Sequence, residues 1–180
     1  DANQAELFSP EPELEHSTGD LLDVKSLEAA CTNIDVLVHL GGVAHVNNLA
    51  ENTLREINVD GTRNILQAAI RNDVQRVILM SSSLASAAEK GKGSGTAYGR
   101  SKRAAEELVN TAQERGEIES VVLRPVNVYG AGMKGNIASM IALIGKGRLP
   151  PLPKTGTQIS LVGVDDLVQA VILIVNAHEA

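Results

Sequence analysis

The chain has 180 residues, of which 43% are hydrophobic, enough for one domain with a sizeable core. Its 16 Lys and Arg against 22 Asp and Glu leave a net charge of -6, and its aromatics are two Tyr and one Phe. That balance excludes nucleic acid as a partner, for which both the electrostatics and the stacking surface are missing.

Residues 1–18 carry Pro10, Pro12 and several Glu with little periodicity, and read as an irregular or edge segment. Asp20 and Leu21 close a predicted strand, with Asp20 alternatively capping the helix that starts near Val24. A short helix over 22–30 follows, and Cys31, the only cysteine, sits among Ala29, Ala30 and Ile34 as a small core residue. Residues 34–40 are an almost continuous apolar run, the pattern of a strand covered on both faces. Gly41 and Gly42 end it without a Cβ, so a ligand can approach the backbone there.

Over 52–71 the apolar positions Leu54, Ile57, Ile65, Leu66, Ala68, Ala69 and Ile70 recur at helical spacing. Asn58 interrupts the buried side, and a buried amide needs partners; solvation at a bend near Gly61 is the alternative. Residues 77–80 form another buried strand with Ser81, Ser82 and Ser83 at its carboxyl end, followed by a lysine-bearing glycine loop over 86–96. A helix over 97–115 buries Ala104, Ala105, Leu108, Val109 and Ala112, and Gly116 caps it. The next strand, 120–123, runs into Arg124-Pro125, where the proline cannot donate to a ladder and the chain leaves the sheet. Asn127 can stabilise that turn, Asn136 can cap the helix after it, and Asp165 caps the last helix.

The four histidines, His16, His39, His45 and His178, lack metal-ligand spacing, so no metal is expected. His39 and His45 read as hydrogen-bonded core residues. The longest apolar run, 167–175, contains Gln169 and falls short of the ~20 residues that a membrane span needs. With no leader sequence visible, a cytoplasmic protein with no membrane partner is the expectation.

The chemistry centres on Tyr98 and Lys102, which lie four residues apart and so share a helix face. A tyrosine that is to act as a base near neutral pH needs its ionisation lowered by roughly three pH units, about 4 kcal/mol. A lysine ammonium can supply part of that. Strand, helix and strand around this pair make a parallel α/β unit, whose strand carboxyl ends collect ligands.

The segments GDLLD, DVLVHLGG, INVDGTRNILQAA, RVILMSSS, YGRSK, VVLRPVNVYG, GNI and LVGVDDL, in this order, resemble the extended short-chain dehydrogenase/reductase family, most closely its nucleotide-sugar 4-epimerases. The resemblance runs from about Gly19 to Val175. It implies a Rossmann-like, doubly wound parallel sheet with helices on both faces. It further implies Ser82, Tyr98 and Lys102 as catalytic residues, with Ser83 one register step away as a substrate contact. NAD would lie against Asp20, Leu21, Leu40, Gly41, Gly42, Asn58, Ser81, Tyr98, Lys102 and Pro125, with NADP left open. Asn127 and Asn136 would meet a nucleotide-sugar substrate, together with Ser82. Residues 150–153 match a strip beside the substrate's base.

Family members place a strand and a G-x-x-G-x-x-G turn before the GDLLD segment, and no such sequence stands in these 180 residues. The chain is therefore expected to be incomplete at both ends, a partial NAD(P)-binding domain that leads from about residue 130 into the substrate-binding part. Two further departures matter. Serines replace the Asp-Glu pair of the family's dehydratases, which disfavours dehydration. Ile159 stands where many epimerases place an Arg against the diphosphate. The leading expectation is a 4-epimerase; the alternatives are a carbonyl reductase of the same family and a dinucleotide-sensing module without turnover. Leu66, Ala69, Ile70, Leu108, Val109 and Ala112 offer more apolar surface than one sheet requires, which points to a homodimer through the two long helices.

Overall fold

The computed structural model describes residues 15–44, 50–89, 95–133, 136–148, 151 and 159–177. Its centre is a three-stranded parallel sheet, β1 (Val36–His39), β2 (Arg76–Met80) and β3 (Glu119–Leu123), in that spatial order. Val36 stands opposite Arg76, and Arg76 opposite Glu119, so all three carboxyl ends finish at one edge of the layer. Parallel neighbours need a crossover. Here α2 (Glu51–Arg55), α3 (Gly61–Arg71), α4 (Ala85–Ala88) and α5 (Ala97–Glu114) make them.

Side-chain alternation along β2 sorts the layers. Val77 and Leu79 join Ile65, Leu66, Ala68 and Ala69 of α3, Ala105, Val109 and Ala112 of α5, and Leu27 and Cys31 at the end of α1 (Val24–Ala30) in one core. Arg76 and Ile78 point the other way. On that face the Arg76 guanidinium donates to the carbonyls of Ile174 and Ala177, 2.6 and 2.7 Å away, at the end of α7 (Val164–Asn176). A smaller parallel pair, β4 (Asn127–Tyr129) with β5 (Leu161–Gly163), lies beyond the Pro125 turn, and α6 (Asn136–Gly145) stands between them in the chain.

Several expectations change. No strand precedes α1 within the described residues: 15–20 are irregular, and the Asp20 carboxylate accepts from the N–H of Leu22 at 2.8 Å to close a turn. The α1 cap is Asp23, which accepts from Lys25. β1 is half-buried rather than covered on both faces, because no strand flanks its outer side among the described residues. Asp165 does not cap α7. Gly163 holds that position without a side-chain bond, while Asp165 and Asp166 fill the first turn, where the helix dipole favours carboxylates. His45, His178, Gly135, the lysine loop at 90–94 and most of 150–153 lie outside the described residues, as does the Asn136 side chain. No helix among the described residues is long and apolar enough to cross a membrane.

Most of the apolar surface assigned to a second copy is buried inside the fold. Leu66, Ala69, Val109 and Ala112 are buried in the core, with Ile70 and Leu108 packed against it. Helix rotation decides this, and spacing alone does not reveal it. Leu108→Glu should lower stability by up to about 2 kcal/mol, seen as an earlier urea midpoint.

Candidate active site

Tyr98 and Lys102 enter the site because Thr96 starts α5 firmly, its hydroxyl accepting from the N–H of Gly99 at 3.0 Å. Gly99 lets the first turn of the helix press on the serine loop, since a Cβ there would come within 2.5 Å of the Leu84 carbonyl oxygen. Across this contact the Tyr98 hydroxyl is hydrogen-bonded with Ser82. Burial pushes the Tyr98 phenol above its ordinary value, and the Ser82 bond works in the opposite direction. The lowering expected from Lys102 is thus not what this chain alone produces. Burial also pulls the Lys102 ammonium below its ordinary value, partly offset by the Glu106 carboxylate one turn further along.

The end of β1 faces the same place. Gly42, at φ +152°, has room for no side chain: a Cβ would sit 2.9 Å from Oδ1 of Asn58 and 4.0 Å from Nζ of Lys102. Leu21 lies beside Gly41 and Gly61, with its carbonyl accepting from Asn64 at 2.9 Å, and Leu40 is exposed at the strand end. This open, glycine-lined strand end fits the cofactor positions assigned to Leu21, Leu40, Gly41 and Gly42. Asp20 sits one residue away in its turn.

Asn58 shows why a buried amide stands in the long helix. Residues Glu56–Asp60 form a π-helical turn between α2 and α3, a widening that often marks functional sites. There Asn58 accepts from the N–H of Val43 at 2.7 Å and donates to the Val43 carbonyl at 3.1 Å and the Ser101 hydroxyl at 3.0 Å. Ser101 in turn donates to the Tyr98 carbonyl at 2.8 Å. The amide therefore ties the loop after β1 to the helix that carries Tyr98 and Lys102.

His39 is a core histidine, as expected. Its Nε2 lies 3.1 Å from the Thr62 hydroxyl, which donates its own proton to the Asn58 carbonyl at 2.7 Å. Nε2 must then carry the imidazole proton. Burial, and next the Lys102 charge, lower its pKa to about 4. An unfolded histidine takes its proton near 6.5, so acid favours the unfolded chain across that window. Stability should fall by a few kcal/mol as the pH drops from about 6.5 to about 4. Chemical denaturation of wild type and His39→Gln at several pH values measures it, the variant showing a flatter slope.

Ser81 is bonded within the protein: it is buried, its hydroxyl donates to Glu106, and its N–H donates to the Leu123 carbonyl at 2.7 Å. Ser83 N–H donates to the Pro125 carbonyl at 2.9 Å, which joins the serine loop to the turn after β3. Asn127 opens β4 and donates to the Ser160 carbonyl at 3.3 Å, which ties its side chain to the chain just before β5. Glu106 and Arg124 were not singled out from the sequence. Glu106, with no exposure, accepts from Arg124 Nε at 2.8 Å and Nη2 at 2.7 Å and from Arg103 at 3.3 Å. Burial pushes its carboxyl up, but these donors and Ser81 outweigh that, and the net direction is down. A glutamate between Ala105 and Val109, on the Tyr98 and Lys102 face, was the available signal.

Among the described residues no cluster of His, Cys, Asp or Glu could hold a metal. The family model described as the NAD dependent epimerase/dehydratase family matches residues 2–180. The chain is 32% identical to a UDP-glucose 4-epimerase of Vibrio cholerae, over 90% of this chain and 54% of that protein. It is 31% identical to short-chain dehydrogenase/reductase family 42E member 1 of Bos taurus, over 90% and 47% respectively. The chain thus spans about half the length of these curated relatives. Among solved structures, MoeE5 in complex with UDP-glucuronic acid and NAD superposes with a TM-score of 0.73 at 27% identity, over 89% of this chain and 58% of that one. The dTDP-glucose 4,6-dehydratase DesIV of Streptomyces venezuelae, in a double mutant with NAD bound, gives 0.80 at 22%, over 98% and 58%, a likeness of fold. With the parallel sheet and the Ser82, Tyr98 and Lys102 face already in place, the match over residues 2–180 makes this chain a member of the NAD dependent epimerase/dehydratase family.

Proposed function

We propose that the whole protein interconverts C4 epimers of a nucleotide-activated sugar. The observation that carries this reading is the Ser82–Tyr98 hydrogen bond beside buried Lys102, at the carboxyl end of the sheet. NAD, when bound, supplies the hydride acceptor and later donor for C4, together with a positive charge near the phenol. A tyrosine keeps its proton at neutral pH and burial holds this one more firmly, so a bound cation would aid its removal. Tyr98 takes the proton of the sugar's C4 hydroxyl as general base and returns it at the end. Ser82 orients the exchange by bonding the phenol and the hydroxyl together. Lys102 keeps a cation beside the phenolate, and Asn58 fixes the backbone at Val43 against the same helix. Leu21, Leu40, Gly41 and Gly42 would hold the cofactor, with Ser83, Asn127 and Asn136 toward the substrate. Serines at 82 and 83 leave no carboxylate for eliminating water.

The likeness to the 42E short-chain dehydrogenase/reductase favours a second reading, carbonyl reduction with the same residues and a reduced cofactor. Incubating the full protein with UDP-sugars, and separately with carbonyl substrates and NADPH, decides between them. Appearance of the C4 epimer without net cofactor consumption supports the first. Cofactor oxidation with no epimer supports the second. Dimerisation through α5 and the α2–α3 helix rests on family likeness, since four of the six apolar side chains named for it are buried in the core and Ile70 and Leu108 pack against it.

A further inference from the structure

We propose that Ser81 and Glu106 are a positioning pair for Ser82, holding the serine loop so that the Ser82 hydroxyl meets the Tyr98 phenol. This rests on the reading of Ser82 and Tyr98 given above. Ser82 itself has weak local support: besides its bond with Tyr98, its hydroxyl is bonded among the described residues only by the N–H of Leu84, at 3.2 Å. Its position is set by its neighbours. On one side, Ser81 is fastened twice, by its hydroxyl to Glu106 and by its N–H to the Leu123 carbonyl. On the other, Ser83 is fastened by its N–H to the Pro125 carbonyl.

Glu106 is suited to be the fixed point. It follows Tyr98 by eight residues and Lys102 by four, so one rigid helix face carries the phenol, the ammonium and the anchor of the loop that must meet them. A carboxylate offers about four acceptor sites. Arg124 fills two and Arg103 one, and Ser81 completes the set. The carboxylate therefore cannot turn to another donor without giving up one of these bonds, the buried Ser81 hydroxyl included. A displacement of the Ser82 oxygen by about 1 Å would cost up to a hundredfold in rate. Neither Ser81 nor Glu106 need touch a substrate for that effect.

The test is the ionisation of Tyr98 in the full protein, read as the phenolate absorbance of each variant minus that of the same variant carrying Tyr98→Phe. Ser82→Ala sets the scale, since loss of its bond moves the titration to higher pH. Ser81→Ala, which changes no charge and deletes one hydroxyl, should move it in the same direction, with kcat reduced about tenfold or more and KM within about twofold. A Ser81→Ala protein that melts earlier but keeps the wild-type titration and kcat, while Ser82→Ala moves both, overturns the positioning role and leaves the proposed function standing. If Ser82→Ala moves neither, the Ser82–Tyr98 pairing itself fails, and the inference falls with it.

Discussion

Replacing Tyr98 by Phe is expected to lower turnover of the full protein at least about a hundredfold, the low end for general acid–base catalysis. The substitution deletes the oxygen of the proposed base and keeps the ring beside Ser82. Stability should barely move, because half-buried Ser82 can replace its lost partner with water. Initial rates with circular dichroism check it. Wild-type turnover in a folded Tyr98→Phe protein would remove the base from the mechanism.

Arg124→Ala carries the largest expected cost in stability. The arginine makes two bonds to a carboxylate that has no exposure, and removing it leaves Glu106 with Ser81 and Arg103. Breaking a buried pair from one side costs about 3–5 kcal/mol, and the low end applies because the Arg124 side chain is 32% exposed. The pH dependence follows in sign. Glu106 is depressed in the folded chain, so its contribution is complete above the unfolded carboxyl value, about 4.3, and is lost as the pH falls through the lower folded one. Denaturation of Arg124→Ala should show a smaller acid loss than wild type. Equal stability at pH 7 would mean that the ion pair contributes nothing.

Much of the layer plan is legible in the residues. The run Val77, Ile78, Leu79 and Met80 is apolar at every position and becomes the central strand, while Thr96 and Gly116 mark both ends of α5. The π turn at Glu56–Asp60 is not legible, because one extra residue shifts the apolar spacing of Leu54, Ile57 and Ile65 too little to stand out. The short strands β4 and β5 pair across more than thirty residues, and three-residue strands carry no period of their own. At the site, Ser82 as a partner of Tyr98 is what the family resemblance implies. The direction of the Tyr98 ionisation is not legible, because burial outweighs the Ser82 bond and burial is a property of the fold. Glu106 shows the same limit: a helix glutamate reads as solvated until the fold sets Ser81 and Arg124 around it.

The central claim, that Tyr98 removes a hydroxyl proton while the C4 hydrogen leaves and returns as hydride, is tested most directly by a UDP-sugar deuterated at C4. Full protein with NAD should convert it to the C4 epimer with the deuterium kept at that carbon, by mass spectrometry and NMR, and Tyr98→Phe should form little product. An epimer whose C4 deuterium has exchanged with water would show that the carbon loses a proton, and would contradict the mechanism.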